Sequence, residues 1–433
     1  MELSRRTLLG GFAAVASGVA GSTLVGCSSG MNNAGAPAKK NTATELTFWC
    51  WPGGLGKSVL DGAIAHFPDP KIKYSEIGGD FKQKLTTTFN GGTSIPDITG
   101  LKGEDIASLL PQAERFVDLK TVGADSVLGD YLDWKVKQAT TLDGKVIGLP
   151  IDVGPTALFY REDIFAAAGL PSDPAKVAEQ LKTWDDFFNA GVQLKAKNPK
   201  APMVWDATDL YDMVVGQGTQ RYISKDNKFI GDQDHIRKAW DTSVKAMTLK
   251  IDGKTPSGMP DWNAGLDQGT VPAHIGAAWV ALDIKSAVKK TAGKWRLAPT
   301  PGGPANFGGS FLAITKNAAD PQKAFDVIKY MLSPDNEAKA FTDAQIFPST
   351  PAAYDKPELK AKDPFFGGQV PIDVFGPAAK GIPVAYQSPF DDSVAAPFHD
   401  ELKTVQSGAK TSDAAWSSAV SKAKAIAKRQ GVQ

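Results

Sequence analysis

The chain has 433 residues, a formal net charge of +1, and 22% charged against 42% hydrophobic residues. That length is enough for two domains of ordinary size, and the composition excludes a chain that is disordered throughout. Near-neutral charge, with no Lys/Arg cluster interleaved with aromatics, excludes nucleic acid as partner and favours a guest that is neutral or read by hydrogen bonds.

In chain order, the first segment is not part of a fold. Glu2 precedes Ser4-Arg5-Arg6-Thr7-Leu8-Leu9, apolar and small residues follow to Val25, and the run stops at Gly26-Cys27. A basic start, a short apolar stretch and small residues at its end make 1–26 an export signal. It is too short and too rich in Gly, Ala and Ser for a membrane-spanning anchor. The paired arginines resemble a twin-arginine signal, and Leu24-Val25-Gly26-Cys27 resembles a bacterial lipobox. That resemblance implies that the Cys27 thiol receives a diacylglycerol and becomes the mature N-terminus. Loss of Glu2, Arg5 and Arg6 leaves the mature charge near zero. Residues 27–44 contain one large apolar residue, Met31, and read as a flexible tether. No later segment is long and apolar enough to span a bilayer. The expectation is a soluble body held by its lipid at the outer face of the cytoplasmic membrane.

Glu45-Leu46-Thr47-Phe48-Trp49 reads as a first strand, broken by Pro52-Gly53-Gly54, and Lys57 to Phe67 as a helix. Lys71 to Ile77 alternates and reads as a second strand. Asp80 can cap a helix with Phe81, Leu85 and Phe89 on its apolar face. Pro96-Asp97-Ile98 opens a short third strand, and Glu104 to Leu110 returns to helix. Strands alternating with helices predict a parallel sheet covered on both faces. Further on, Thr183-Trp184-Asp185-Asp186 has the form of a capping box, with its helix ending before Pro199. Asp320-Pro321 starts a helix with Ala324, Val327, Ile328, Met331 and Leu332 on one face. Gly/Pro-rich breaks near 148–155, 299–304 and 347–351 are candidate crossings between two lobes.

The residues that carry chemistry are few. With Cys27 given to the lipid, Cys50 has no partner, so no intramolecular disulfide forms, and a small buried hydrophobe is the expected role. The four histidines, His66, His235, His274 and His399, lack metal-pair spacing. Ser286-Ala287-Val288-Lys289 matches Ser-x-x-Lys without its companion motifs. Gly216-Gln217-Gly218 lacks the third glycine of a dinucleotide fingerprint. Asp391-Asp392 is the one carboxylate pair suited to glycoside hydrolysis, but adjacent residues point apart, and turn chemistry accounts for them. No cofactor is expected. Tryptophan is over-used, with ten copies. Trp416 has helical spacing and reads as packing, as do Trp184 and Trp240. Trp49, Trp51, Trp205, Trp262 and Trp279 fall at strand ends or in Gly/Pro-rich loops, where ligand-facing aromatics occur.

One constellation resembles a family. Gly144-Lys145-Val146-Ile147-Gly148-Leu149-Pro150-Ile151-Asp152 leads into Thr156-Ala157-Leu158-Phe159-Tyr160-Arg161, and Thr183-Trp184-Asp185-Asp186-Phe187 follows. Ala277-Ala278-Trp279 and Phe307-Gly308-Gly309-Ser310-Phe311 come later. Their order and spacing resemble the extracellular solute-binding proteins (family 1) of carbohydrate ABC importers, over nearly the whole mature chain. The family's usual Gly-Pro-Trp is here Ala277-Ala278-Trp279. The resemblance implies an α/β fold of two lobes, periplasmic-binding-protein-like, with a ligand cleft between them and several crossings. Lobe 1 would hold 45–155 and 300–346, and lobe 2 would hold 156–299 and 347–433. It also implies that Trp279 stacks on a sugar.

Indole faces cover the C–H face of a sugar ring, while carboxylates and amides meet its hydroxyls in fixed directions. Trp49 and Trp51 would then line the opposite wall, with Asp152 at the crossing. Asp80 and Glu104 sit at helix starts near strand C-termini. Trp205, Asp206, Gln217 and Trp262 would come from the second lobe, and Phe307, Gly308 and Gly309 would let backbone approach the ligand. The expected function is capture of a sugar or oligosaccharide by a monomeric lipoprotein, without chemistry, and delivery to the permease subunits of an ABC importer. The alternatives are an extracytoplasmic carbohydrate hydrolase using Asp391 or Asp392, and a binder of a polyamine or inorganic anion.

Overall fold

Leu46, Phe48 and Cys50 are buried in alternation with half-buried neighbours, and this period of two makes Glu45–Cys50 a strand, β1. The computed structural model describes residues 41–288 and 290–433. The export signal, Cys27 and most of the tether therefore lie outside the described residues, as does Lys289 of the Ser-x-x-Lys motif.

β1 pairs in parallel with β2 (Lys71–Glu76) and with β3 (Ile98–Lys102). The short β4 (Leu149–Pro150) and β8 (Ser310–Ile314) complete a five-stranded sheet of order β2-β1-β3-β8-β4. β8 runs antiparallel to both of its neighbours. The sheet is thus mixed, where strand–helix alternation predicts a parallel one. β8 reaches the sheet only after the chain has returned from the second lobe, entering from the opposite end. Both faces are covered as expected. Leu312 and Ile314 join Phe48, Ile98 and Phe325 on one side, and Phe311 and Ala313 join Phe81, Leu85 and Phe89 on the other.

The second lobe is built on β5 (Thr156–Arg161), buried along its whole length and flanked by β6 (Ala273–Ala277) and β7 (Trp295–Pro299), both antiparallel to it. A second core lies among the helices Ala207–Gly216, Asp234–Thr248, Asp391–Gln406 and Ser412–Arg429. There Ala415, Ala419, Ala423 and Ala427 line one buried stripe. Trp416 packs edge-on against Trp240, with ring centroids 5.5 Å apart.

Three segments run side by side between the lobes. Ile151 N donates to Ser310 O at 2.8 Å, Val153 N to Phe347 O at 3.0 Å, and Phe307 N to Gly154 O at 2.9 Å. The approach is so close that a Cβ on Gly154 would stand 1.6 Å from the Phe307 carbonyl oxygen. Among the described residues, no helix is long and apolar enough to cross a membrane.

Candidate functional site

β6 ends at Ala277 and Ala278 follows, both buried, with Ala278 N donating to Pro155 O at 3.0 Å. The chain turns there into the helix Val280–Ala287, and Trp279 stands at the turn with 45% of its surface exposed. An indole left this open borders a cavity of about 300 Å³ whose other walls include Trp205, Met213, Trp262, His274 and Phe307. Trp205 and Trp262 are only 1% and 2% exposed. They enclose His274 edge-on, with centroid separations of 4.5 and 5.0 Å. Gly276, two residues along the same strand, leaves room for that imidazole; a Cβ there would lie 2.7 Å from His274 Nε2. Burial pushes His274 down to about 3, so the ring is neutral.

The polar groups of this chamber divide into engaged and orphaned. Asp209 accepts from Trp205 Nε1 at 2.9 Å, Ser257 N at 3.0 Å and Ser257 Oγ at 2.7 Å. Trp262 Nε1 and His274 Nδ1 are buried with no hydrogen-bond partner. Buried orphans of this kind are rare, and two on one wall point to a guest that completes them. Asp283 lines the rim one helical turn beyond Trp279.

A second cavity of about 530 Å³ adjoins the first, sharing Asp212 and Phe307. Its walls bring together Gly103, Glu104, Ser108 and Gln138, near strands of the five-stranded sheet in sequence, with Arg221, Asp391, Asp392 and His399 from much later in the chain. His399 Nε2 meets Asp212 Oδ1 at 2.7 Å. Burial alone would lower the imidazole, but the hydrogen bond to Asp212 and that carboxylate's charge together outweigh it, and the net shift is upward. Asp391 opens the helix Asp391–Gln406 and accepts from Ser388 N at 2.7 Å and Tyr222 N at 3.2 Å; burial lifts it to about 7. The pair Asp391-Asp392 therefore begins a helix, where the sequence suggests a turn.

The candidate residues from the sequence divide by these walls. Trp205, Trp262, Trp279 and Phe307 come together in the first chamber, and Glu104, Phe307 and Gly308 in the second. Trp262 stands on the helix Pro260–Gln268, not in the loop expected from its Pro/Gly surroundings. Pro260 occupies the first turn and Gly269 ends the helix at φ 79°. Trp49 and Trp51 line neither chamber. Trp49 belongs to β1, and Trp51 packs edge-on against Phe81 at 5.3 Å with Lys102 Nζ 5.5 Å from its ring centre.

Asp80 caps the helix Phe81–Gly91 through Gln83 N at 2.9 Å. Asp206 is buried as the cap of Ala207–Gly216 and accepts from Thr208 N at 2.8 Å and Gln406 Nε2 at 3.0 Å. Gln217 accepts from Trp184 Nε1 and donates to Pro301 O at 2.7 Å, tying two loops. Asp152 sits half-buried at the crossing, its carboxyl raised by burial against the pull of Lys135 and Ser310. Gly309 presses between Lys135 and the Asp152 carbonyl at φ 77°, a conformation that favours glycine. His274, Asp209, Asp212, Arg221 and Asp283 are the lining residues that the sequence does not single out. They follow no motif, and only the fold brings them to one opening.

The arrangement offers aromatic faces beside a few fixed donors and acceptors, the composition of a small-molecule site. Among the described residues, no group of three or more His, Cys, Asp and Glu could hold a metal ion.

The family model of the bacterial extracellular solute-binding proteins matches residues 65–366. The lactose-binding protein of Rhizobium radiobacter is 28% identical over 351 residues, covering 76% of this chain and 80% of that one. The arabinooligosaccharide-binding protein of Halalkalibacterium halodurans is 22% identical over 343 residues, 75% of either chain. A crystal structure of an extracellular solute-binding protein of family 1 superposes with a TM-score of 0.82 at 30% identity, over 89% of this chain and 100% of its own.

Proposed function

Because the chain belongs to the bacterial extracellular solute-binding proteins, we propose that it captures a sugar or oligosaccharide and hands it to the permease of an ABC importer. The observation that carries this reading is the chamber that exposed Trp279 lines together with the orphaned ring nitrogens of Trp262 and His274. An indole face fits the C–H face of a pyranose, and stranded hydrogen-bonding atoms fit its hydroxyls. Relatives named for lactose and arabinooligosaccharide support the substrate class. Trp205, Trp262, Trp279, Phe307, Glu104 and Gly308 are the proposed contacts. Asp206, Gln217 and Gly309 hold segments that bear the walls, whereas Trp49, Trp51, Asp80 and Asp152 line neither chamber.

The guest bridges two lobes, 45–155 with 300–346 and 156–299 with 347–433, so closure gains both sets of contacts. The protein works as a monomer outside the cytoplasm, held to the membrane by a lipid on Cys27. It leaves its guest unaltered; both oxygens of Asp391 are already engaged by backbone N–H groups, which speaks against a hydrolytic pair. Calorimetry and tryptophan fluorescence with lactose, arabinotriose and maltotriose test this. Binding with recovery of intact sugar is expected. No heat with any saccharide, or release of hydrolysis products, would overturn it.

A further inference from the structure

The second chamber holds a cation that feels the charge of Asp391, Asp212 and Asp392 but has a buried Nε with no hydrogen-bond partner. Arg221 stands in the loop after the helix Ala207–Gly216 and lines the cavity between the lobes. Its Nε is buried without a hydrogen-bond partner, and among the described residues its guanidinium forms no ion pair. A guanidinium carries five donors and no acceptor, and a buried donor such as this Nε is costly to leave without a partner. The carboxylates around it are occupied elsewhere or stand open. Asp391 is held by Ser388 N and Tyr222 N, and Asp212 by His399. Asp392 makes no hydrogen bond among the described residues, and Glu104 has one ion pair there, with Lys102 at 3.9 Å. Donors lacking acceptors and acceptors lacking donors therefore border one space of about 530 Å³.

We propose that Arg221 is a specificity-determining residue that, with Asp392 and Glu104, clamps neighbouring hydroxyls of an uncharged sugar ring. The inference rests on the sugar-binding reading above and narrows it to neutral glycans. A hydroxyl accepts and donates at once, so a pair of them can satisfy the guanidinium and the two carboxylates together. A sugar acid or sugar phosphate would pair with Arg221 but would set its charge against Glu104, Asp212 and Asp392. An amino sugar would suit the carboxylates and leave Arg221 facing a second cation. Arg221 and Glu104 also belong to different lobes, so the clamp closes only when the lobes do.

The test uses the purified full chain, Arg221→Met, Arg221→Lys and Glu104→Gln. Lactose, arabinotriose and maltotriose are the neutral probes; digalacturonate, glucose 6-phosphate and glucosamine are the charged ones. Wild type should bind at least one neutral probe and prefer it to every charged one. Arg221→Met should weaken that binding roughly 10- to 100-fold. The unliganded melting temperature of this variant should change little, because the side chain is half-exposed and its Nε makes no hydrogen bond. Arg221→Lys should recover only part of the affinity, lacking the planar fork, and Glu104→Gln should weaken binding without unfolding. Unchanged affinity in Arg221→Met, or a lowered unliganded melting temperature with unchanged affinity, overturns the clamp. So does tighter binding of a charged probe by wild type. Absence of binding to every saccharide instead removes the sugar reading on which the clamp stands.

Discussion

Trp279 concentrates what a single residue contributes. With 45% of its surface exposed, it is the most open of the aromatics lining the first chamber, and its removal leaves no hole in a core. Trp279→Ala should therefore change folding stability by no more than about 0.5 kcal/mol, as surface substitutions do. Affinity for the sugar should fall by roughly 1–2 kcal/mol, about ten- to thirtyfold, for loss of the stacking face. Calorimetry beside thermal melting separates the two; a large drop in melting temperature would place the indole in the framework. The neighbouring Trp205 and Trp262 would not split so cleanly, since both are buried and pack on His274. Sequence placed these three indoles among the ligand-facing candidates through their irregular surroundings. It could not grade them, because exposure is a property of the packed lobe. His274 went unread for a related reason: a lone histidine in an apolar strand carries no spacing signal, and only its two aromatic neighbours give it meaning.

At the scale of elements, caps decide which carboxylates are free to act. Asp80 and Asp206 look alike in sequence, each an aspartate before a helix, and both were plausible ligand groups. Their surroundings differ. Asp80 is exposed and bonds one backbone N–H of its helix, whereas Asp206 is buried, caps its helix and takes Gln406 from the C-terminal region. The helix that Asp206 starts also carries Asp209, Asp212 and Met213 to the chamber walls. Asp206→Ala should cost about 2–3 kcal/mol, a cap plus a buried charge-assisted bond, and should weaken sugar binding by displacing those walls. Asp80→Ala should cost only about 0.5–1 kcal/mol and leave affinity unchanged. Urea unfolding with calorimetry checks both; lost affinity in Asp80→Ala with stability intact would return that carboxylate to the site. The capping pattern makes the helix starts at Asp80, Thr183 and Asp320 legible, but the one at Asp206 is not read from the sequence. The helix starting at Pro260 has no such signal, because Met259 before it offers no capping side chain.

For the whole molecule, the question is how two lobes stay joined and still move. The hydrogen bonds between the adjoining segments run through Ile151, Val153 and Gly154 on one side and Phe307, Ser310 and Phe347 on the other. The direction of β8 was not legible, because it depends on where the chain re-enters rather than on local pattern. One buried acid secures the third crossing. Glu337, on the helix Pro334–Ala344, is 2% exposed and accepts from Ser349 Oγ at 2.5 Å, Thr350 N at 2.8 Å and Thr350 Oγ1 at 2.6 Å. Ser349 and Thr350 lie in the segment whose Phe347 carbonyl meets Val153 of the first crossing. Burial pushes Glu337 up to about 8, outweighing those hydrogen bonds. The folded value is raised above the unfolded one, near 4.5. The folded state thus holds a proton that the unfolded chain has released, and the contribution to stability is complete below that unfolded value. It is lost as pH rises toward and through about 8. Glu337→Gln keeps a neutral group of the same shape and has no proton to lose. Melting temperatures across pH 5, 7 and 9 should therefore fall more steeply in wild type than in Glu337→Gln. The ligand-free fluorescence of the cleft tryptophans should change over the same range only in wild type, if the crossing loosens with its acid. Parallel pH profiles for the two proteins would mean that Glu337 is ionised throughout, and that the joint between the lobes is fixed by backbone pairing alone.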